Sequence, residues 1–255
     1  MCKDCGCEEA GKRQTHTHRH GDGTAHTHGH GAADHDHGIA TRTVTVEQRV
    51  LAHNDELAAQ NRAWLKARSV VALNLISSPG TGKTLLLEKT VERLKRRTGV
   101  AVITGDQQTD NDKVRIARTG VPVEQIETHS ACHLDAARVA AVLPLVVRPE
   151  TRLLFIENVG NLVCPAAFDL GESFQVALLS TTEGEDKPLK YPVLFTGAQV
   201  VVLTKMDLVP HLEWDLTACR HAIQQVHPGV FVFELSAKTG AGMDAWCDYL
   251  MKLVG

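Results

Sequence analysis

No apolar run in this sequence approaches the roughly 20 residues that a membrane-spanning helix needs. The N-terminus also lacks the apolar core of a secretory leader. A cytoplasmic protein with no membrane partner is therefore expected. Net charge is nearly absent as well. Against 30 Asp and Glu stand 27 Lys and Arg, leaving −3 with His neutral. That balance gives no general pull toward nucleic acid, and no nucleic-acid partner is expected. Large apolar side chains are scarce in the first 40 residues, which cannot bury enough surface to offset their chain entropy. Disorder is expected there in the absence of a ligand. Disulfide staples are not required, because a domain of this size buries roughly 70% of its unfolded surface. In a reducing compartment the seven Cys read better as metal ligands.

What the first 40 residues do contain is donors. Cys2, Cys5 and Cys7 place three thiols within six residues, around Gly6. They can close on one soft or borderline cation, with the α-amino group nearby as a fourth ligand. His16, His18, His20, His26, His28, His30, His35 and His37 follow, alternating with Thr, Gly, Arg and Asp. Such His-x-His repeats bind Ni²⁺, Cu²⁺ or Zn²⁺ adaptably. An affinity tag would be a contiguous run, and a nucleic-acid arm would carry excess Lys and Arg. Neither pattern is present, so the arm reads as metal handling, by storage rather than catalysis. Residues 41–69 are expected to form an amphipathic lead-in helix, opened by a Thr45/Gln48 capping box and carrying Val46, Val50, Leu57, Trp64 and Leu65 at helical spacing. His53 reads as a surface residue of it.

The rest of the chain is organised around Ser77-Ser78-Pro79-Gly80-Thr81-Gly82-Lys83-Thr84. An apolar run, 70–76, precedes it and a helical pattern follows, which is the setting of a phosphate-binding loop. Gly80 and Gly82 let the loop, Thr81 included, turn its backbone N–H groups inward at phosphate oxygens. Lys83 can reach the β- and γ-phosphates, and the Thr84 hydroxyl can ligate Mg²⁺. Strand-like runs at 70–76, 100–104, 121–126, 151–157, 174–180, 199–204 and 230–235 alternate with helical patterns. An α/β domain over 70–255 is expected, with a mostly parallel sheet and helices on both faces. Ligands in such sheets lie beyond the carboxyl ends of the strands.

Four further motifs fall at those ends. Gly105-Asp106-Gln107-Gln108-Thr109-Asp110-Asn111-Asp112 suits a Mg²⁺ and switch loop, with Asp106 the candidate for Mg²⁺ or the attacking water. Glu157-Asn158-Val159-Gly160 resembles a γ-phosphate sensor, in which the Gly160 N–H faces the phosphate. Thr204-Lys205-Met206-Asp207 offers a carboxylate to guanine N1–H and the 2-amino group, while the Lys205 stem lies along the base. Ser236-Ala237-Lys238 supplies a backbone N–H for the guanine carbonyl. In this order after a P-loop, they select GTP over ATP. Cys132, His133 and Cys164 leave two readings open. Either the cysteines are small buried apolar residues, or a transition ion is shared with a second copy across a two-fold axis. Cys219 and Cys247 lie in apolar helical patterns and read as core.

Taken together, Cys2-x-x-Cys5-Gly-Cys7, the His-rich arm, the P-loop, Gly105–Asp112, Cys132-His133, Glu157-Asn-Val-Gly-Asn-Leu-Val-Cys-Pro165 and Thr182-Glu-Gly-Glu-Asp-Lys-Pro-Leu-Lys-Tyr-Pro192 resemble the hydrogenase nickel-incorporation family, HypB. The resemblance spans nearly the whole chain. It implies a GTPase that pairs as a homodimer with GTP and delivers nickel to [NiFe]-hydrogenase large-subunit precursors, beside a partner nickel metallochaperone. It also implies nickel at Cys2, Cys5 and Cys7, and nickel or zinc at Cys132, His133 and Cys164 on the dimer interface. The urease nickel-insertion relatives would be expected to carry Cys-Pro-His instead. A metal-storage protein with a vestigial GTPase is the other reading.

Overall fold

Near-continuous burial along the central strands already announces a sheet covered on both faces. Strand β3 (Val71–Ile76), which leads into the P-loop, is buried at every residue from Ala72 to Ile76. The computed structural model describes residues 16–19, 25–28, 37–106, 111–128 and 132–255, with side chains from Gln48 onward. Cys2, Cys5, Cys7, His20, His30 and His35 lie outside those residues, as do Gln107–Asp110. The chain divides into two compact units, one up to Gln48 and one from Arg49 to Gly255.

Within the first unit, β1 (His16–Arg19) and β2 (Ala25–His28) pair antiparallel, with His16 opposite His28 and His18 opposite His26. Helix α1 (His37–Lys66) begins before Thr45, so the predicted capping box falls inside a helix rather than at its start. In its Arg49–Lys66 part the buried face is Asn54, Ala58, Asn61 and Leu65, whereas Val50 is 52% exposed. The expected apolar stripe thus misses two inward positions, and both carry amides. His53 is exposed, as its pattern indicates.

The second unit alternates strand and helix: β3, α2 (Lys83–Leu94), β4 (Gly99–Asp106), α3 (Asn111–Ala117), β5 (Val123–Glu127), α4 (Ala136–Val146), β6 (Thr151–Glu157), α5 (Cys164–Ala167), β7 (Phe174–Ser180), α6 (Lys187–Lys190), α7 (Pro192–Gly197), β8 (Val200–Thr204), a 3₁₀ turn over Met206–His211, α8 (Leu216–Val226), β9 (Phe231–Glu234) and α9 (Met243–Val254). All seven predicted strands are present, two of them, 151–157 and 174–180, with the predicted bounds. They form one fully parallel sheet in the order β5-β4-β6-β3-β7-β8-β9. After β3 the chain first builds the β4 side and then crosses to the β7 side, which makes the carboxyl end of β3 the switch point where ligands settle.

Alternation along each strand feeds two layers. Leu73, Leu75, Leu153 and Phe155 join Leu86, Leu87 and Val91 of α2 and Met243, Trp246 and Leu250 of α9. On the opposite face Ala72, Leu154 and Ile156 meet Leu65 of α1 and Val139 and Leu143 of α4, and Ala177, Leu179 and Val201 meet Leu194, Phe195 and Ile223. Asp135 caps α4 by accepting the Arg138 N–H at 2.8 Å, and Asp215 caps α8. Cys219 and Cys247 are buried in α8 and α9, as their patterns indicate. Among the described residues no helix is long and apolar enough to cross a membrane.

Candidate functional site

The P-loop turns where its glycines allow it. Gly80 and Gly82 take φ of +73° and +99°, a region that side-chain-bearing residues rarely adopt, and α2 starts at Lys83 directly after. Lys83 is 8% exposed and its ammonium donates to Ser77 Oγ at 2.8 Å, curling the side chain back over its own loop. Burial holds its pKa below the ordinary lysine value, against the pull of Glu157, Asp112 and Glu183.

A cavity of about 400 Å³ opens in front of this loop and is lined by Gly80, Lys83, Thr84, Asp106, Glu157 and Gly160. The structure thus brings the P-loop, the end of β4 and the turn after β6 to one place. Gly160 approaches the loop closely: a Cβ there would stand 3.0 Å from Pro79 Cα. Asp112 and Arg115 of α3 also line the cavity, and Arg115 is ion-paired with Glu88 at 2.6 Å.

Thr84 Oγ1 donates to Glu157 Oε1 at 2.7 Å. Glu157 is 4% exposed, and burial pushes its carboxyl up to about 7. Its other oxygen, Oε2, is buried with no hydrogen-bond partner among the described residues. A carboxylate left short of partners beside a hydroxyl is a hard-oxygen donor pair, and it fits Mg²⁺.

Past Gly82 a second cavity of about 180 Å³ lies between Leu86, Lys205, Asp207 and the Ser236–Lys238 turn. Gly82 and Leu85 line both cavities, so a phosphate chain and a base can be held end to end. Lys205 sits at φ +58°, unusual for a residue with a side chain, and its Nζ donates to Gly80 O at 2.8 Å. The Lys205 stem therefore bridges the second cavity and the P-loop. Thr204, where the commoner pattern has Asn, donates from Oγ1 to Thr81 O at 2.8 Å and fastens β8 to the loop. Ser236 is 1% exposed and its Oγ accepts the Thr239 N–H at 3.2 Å, which shapes the turn that presents Ala237 and Lys238.

One group escaped the motif reading. Glu183 Oε1 accepts from Thr81 Oγ1 at 2.8 Å and from the Ser180 N–H at 3.1 Å, while Lys187 bonds both Glu183 and Ser78 Oγ. These bonds hold the P-loop from the β7 side, and they pull the Glu183 carboxyl below its ordinary value against the opposing effect of burial. Both residues fall in the Thr182–Pro192 string, whose conspicuous charge was the available signal.

The metal candidates also converge. Cys132, His133 and Cys164 place one donor atom each within 4.8 Å of one another, all half-buried, within a single chain. A second copy is not needed to gather them. Cys132 Sγ is 3.7 Å from His133 Nδ1, and the His133 ring stacks on Phe168 at 3.8 Å. Burial lowers the His133 pKa, which favours the neutral ring that can ligate. Cys164 is four residues past Gly160, and the Asn161 side chain accepts the Val163 N–H at 2.9 Å to shape the link.

Comparison with known proteins bears on the whole arrangement. Residues 71–234 match the nucleotide-binding domain model described as CobW/HypB/UreG. The hydrogenase maturation factor HypB of Azotobacter vinelandii is 53% identical over 215 residues, covering 84% of this chain and 71% of that protein. The crystal structure of the HypB from Archaeoglobus fulgidus superposes with a TM-score of 0.76 at 36% identity, covering 80% of this chain and all of that one. HypB from Helicobacter pylori, solved in complex with nickel, superposes with a TM-score of 0.74 at 34% identity, covering 78% of this chain and 94% of that one. The P-loop and the turn after β6 stand in the domain that the family model describes, and the chain belongs to the HypB family of hydrogenase maturation factors.

Proposed function

We propose that this chain hydrolyses GTP to GDP and phosphate and uses the nucleotide state to control the hand-over of nickel to a [NiFe]-hydrogenase large-subunit precursor, beside a partner nickel metallochaperone. The observation that carries the reading is covalent continuity. Glu157 and Gly160, which line the phosphate cavity, are followed at once by Cys164 of the donor cluster.

In this mechanism Lys83 gives up Ser77 Oγ and takes the β- and γ-phosphates. Thr84 and Glu157, with Asp106, would hold Mg²⁺, which would supply charge neutralisation at the phosphates. Asp106 is also the candidate to orient the attacking water. The Gly160 N–H faces the γ-phosphate and draws the turn toward Pro79, and Cys164 travels with it. Asp207 accepts from guanine N1–H and the 2-amino group, the Lys205 stem lies along the base, and the Ser236-Ala237-Lys238 turn meets the guanine carbonyl. Cys132, His133 and Cys164 hold Ni²⁺ or Zn²⁺ through thiolate and imidazole, the donors those ions prefer. GTP favours a homodimer that joins two such clusters, and hydrolysis releases it. Cys2, Cys5 and Cys7 load nickel first, and the eight arm histidines buffer it.

The test is calorimetric titration of Ni²⁺ into the full chain loaded with GDP or with a non-hydrolysable GTP analogue, with mass followed by light scattering. Different affinities and a doubling of mass with the analogue are expected. Identical affinity in both states with no change of mass would refute the coupling.

A further inference from the structure

Helix α1 presents two buried amides where a hydrophobic pattern would place apolar side chains. Asn54 and Asn61 are seven residues apart, on one face of the helix, and are 5% and 4% exposed. Buried amides stay only where they find partners. Asn54 Oδ1 accepts the Ala136 N–H at 2.9 Å, and its Nδ2 donates to Asp169 O at 2.8 Å. Asn61 Nδ2 donates to Ala136 O at 2.8 Å and to Leu170 O at 3.0 Å. Two side chains thus take both polar groups of one peptide residue and tie it to two carbonyls of another segment.

The segments are the two that carry the metal candidates. Ala136 stands three residues after His133, and Asp169 and Leu170 five and six residues after Cys164. The closeness of the fit appears at Gly171, where φ is +90° and a Cβ would meet Asn61 Cβ at 2.5 Å and Ala58 O at 2.6 Å. Neither donor segment lies in a long element that would hold it. Cys132 and His133 precede α4, and Cys164 opens a helix of four residues.

We propose that Asn54 and Asn61 are positioning residues for the Cys132–His133–Cys164 site, holding its two halves at ligating distance before an ion arrives. The inference rests on the reading of that cluster as a metal site. Its physical content is preorganisation: without the clamp, ordering two loops would be drawn from the metal-binding free energy. Ordering even one further backbone residue on binding costs about tenfold in affinity.

The experiment uses the full chain with Cys2, Cys5 and Cys7 changed to Ser, titrated with Ni²⁺ alone and read by thiolate-to-nickel absorption in the near ultraviolet. Arm histidines give no such band. Cys219 and Cys247 do not compete, because burial pushes their thiols up to about 12 and about 11. In that background Asn54→Ala with Asn61→Ala should weaken the Ni²⁺ binding responsible for the band by at least about tenfold and alter the band's shape, with kcat for GTP hydrolysis within about twofold. Should the double variant fail to fold, Asn54→Ala alone should show a several-fold loss. An unchanged band and affinity in the variant would overturn the inference while leaving the metal site standing. Absence of the band in the parent would overturn both. A fall in kcat equal to the fall in affinity would mark general destabilisation and overturn the positioning role.

Discussion

Glu157 should make the nucleotide-free protein less stable as pH rises, and its removal should abolish that contribution. The carboxyl is raised from an ordinary 4.5 to about 7 by burial, so its protonated form is the one the folded state favours. Between those values the unfolded chain has released a proton that the folded chain still holds, and stability falls with pH. At about 1.4 kcal/mol per pH unit the full loss is about 3 kcal/mol. This contribution is wholly present below pH 4.5 and gone above about 7. Glu157→Gln keeps an oxygen for the Thr84 hydroxyl and cannot ionise. Urea unfolding of both proteins, without Mg²⁺ and nucleotide, should give a difference curve that is flat below pH 4.5, grows in favour of the variant toward pH 7, and levels near 3 kcal/mol. Because the Glu157 charge also opposes the effect of burial on Lys83, the difference reports the two groups together. Added Mg²⁺ should stabilise the wild type at pH 8 and leave the variant unaffected, while hydrolysis is lost in the variant. Parallel stability curves across pH 4.5–8 would refute the buried, cation-seeking carboxylate.

Three further outcomes follow from the geometry. Thr204→Val removes the donor to the Thr81 carbonyl and leaves it buried and unpaired, so stability should fall by about 1–3 kcal/mol in chemical denaturation, with a higher KM for GTP. Gly160→Ala forces a Cβ to within 3.0 Å of Pro79 and should lower kcat at least about tenfold while fluorescent-GDP affinity is retained. Asp207→Asn exchanges an acceptor for a donor, and the kcat/KM ratio should shift from GTP toward xanthosine triphosphate by at least about 10²-fold.

Much of the site was legible because its chemistry is local in sequence. Glycines in a loop between strand and helix, followed by Lys83 and Thr84, need no distant residue to be recognised. Seven apolar runs, each long enough for a doubly covered strand, announce the parallel sheet for the same reason. Val50 shows where that logic stops. Periodicity reports which side chains are apolar, not what lies opposite them. Helix α1 packs against peptide groups of Ala136, Asp169 and Leu170, and the amides of Asn54 and Asn61 pair with them.

Sequence by itself determined the elements, their class and the phosphate- and base-binding motifs, because period, turn residues and short motifs are properties of neighbours along the chain. Tertiary structure alone decided that Cys132, His133 and Cys164 share one chain's 4.8 Å cluster, that Glu183 and Lys187 brace the P-loop, and that Glu157 lies dry beside Thr84. Those facts depend on crossovers that bring residues tens of positions apart into contact, and on the burial that results, neither of which a linear pattern records.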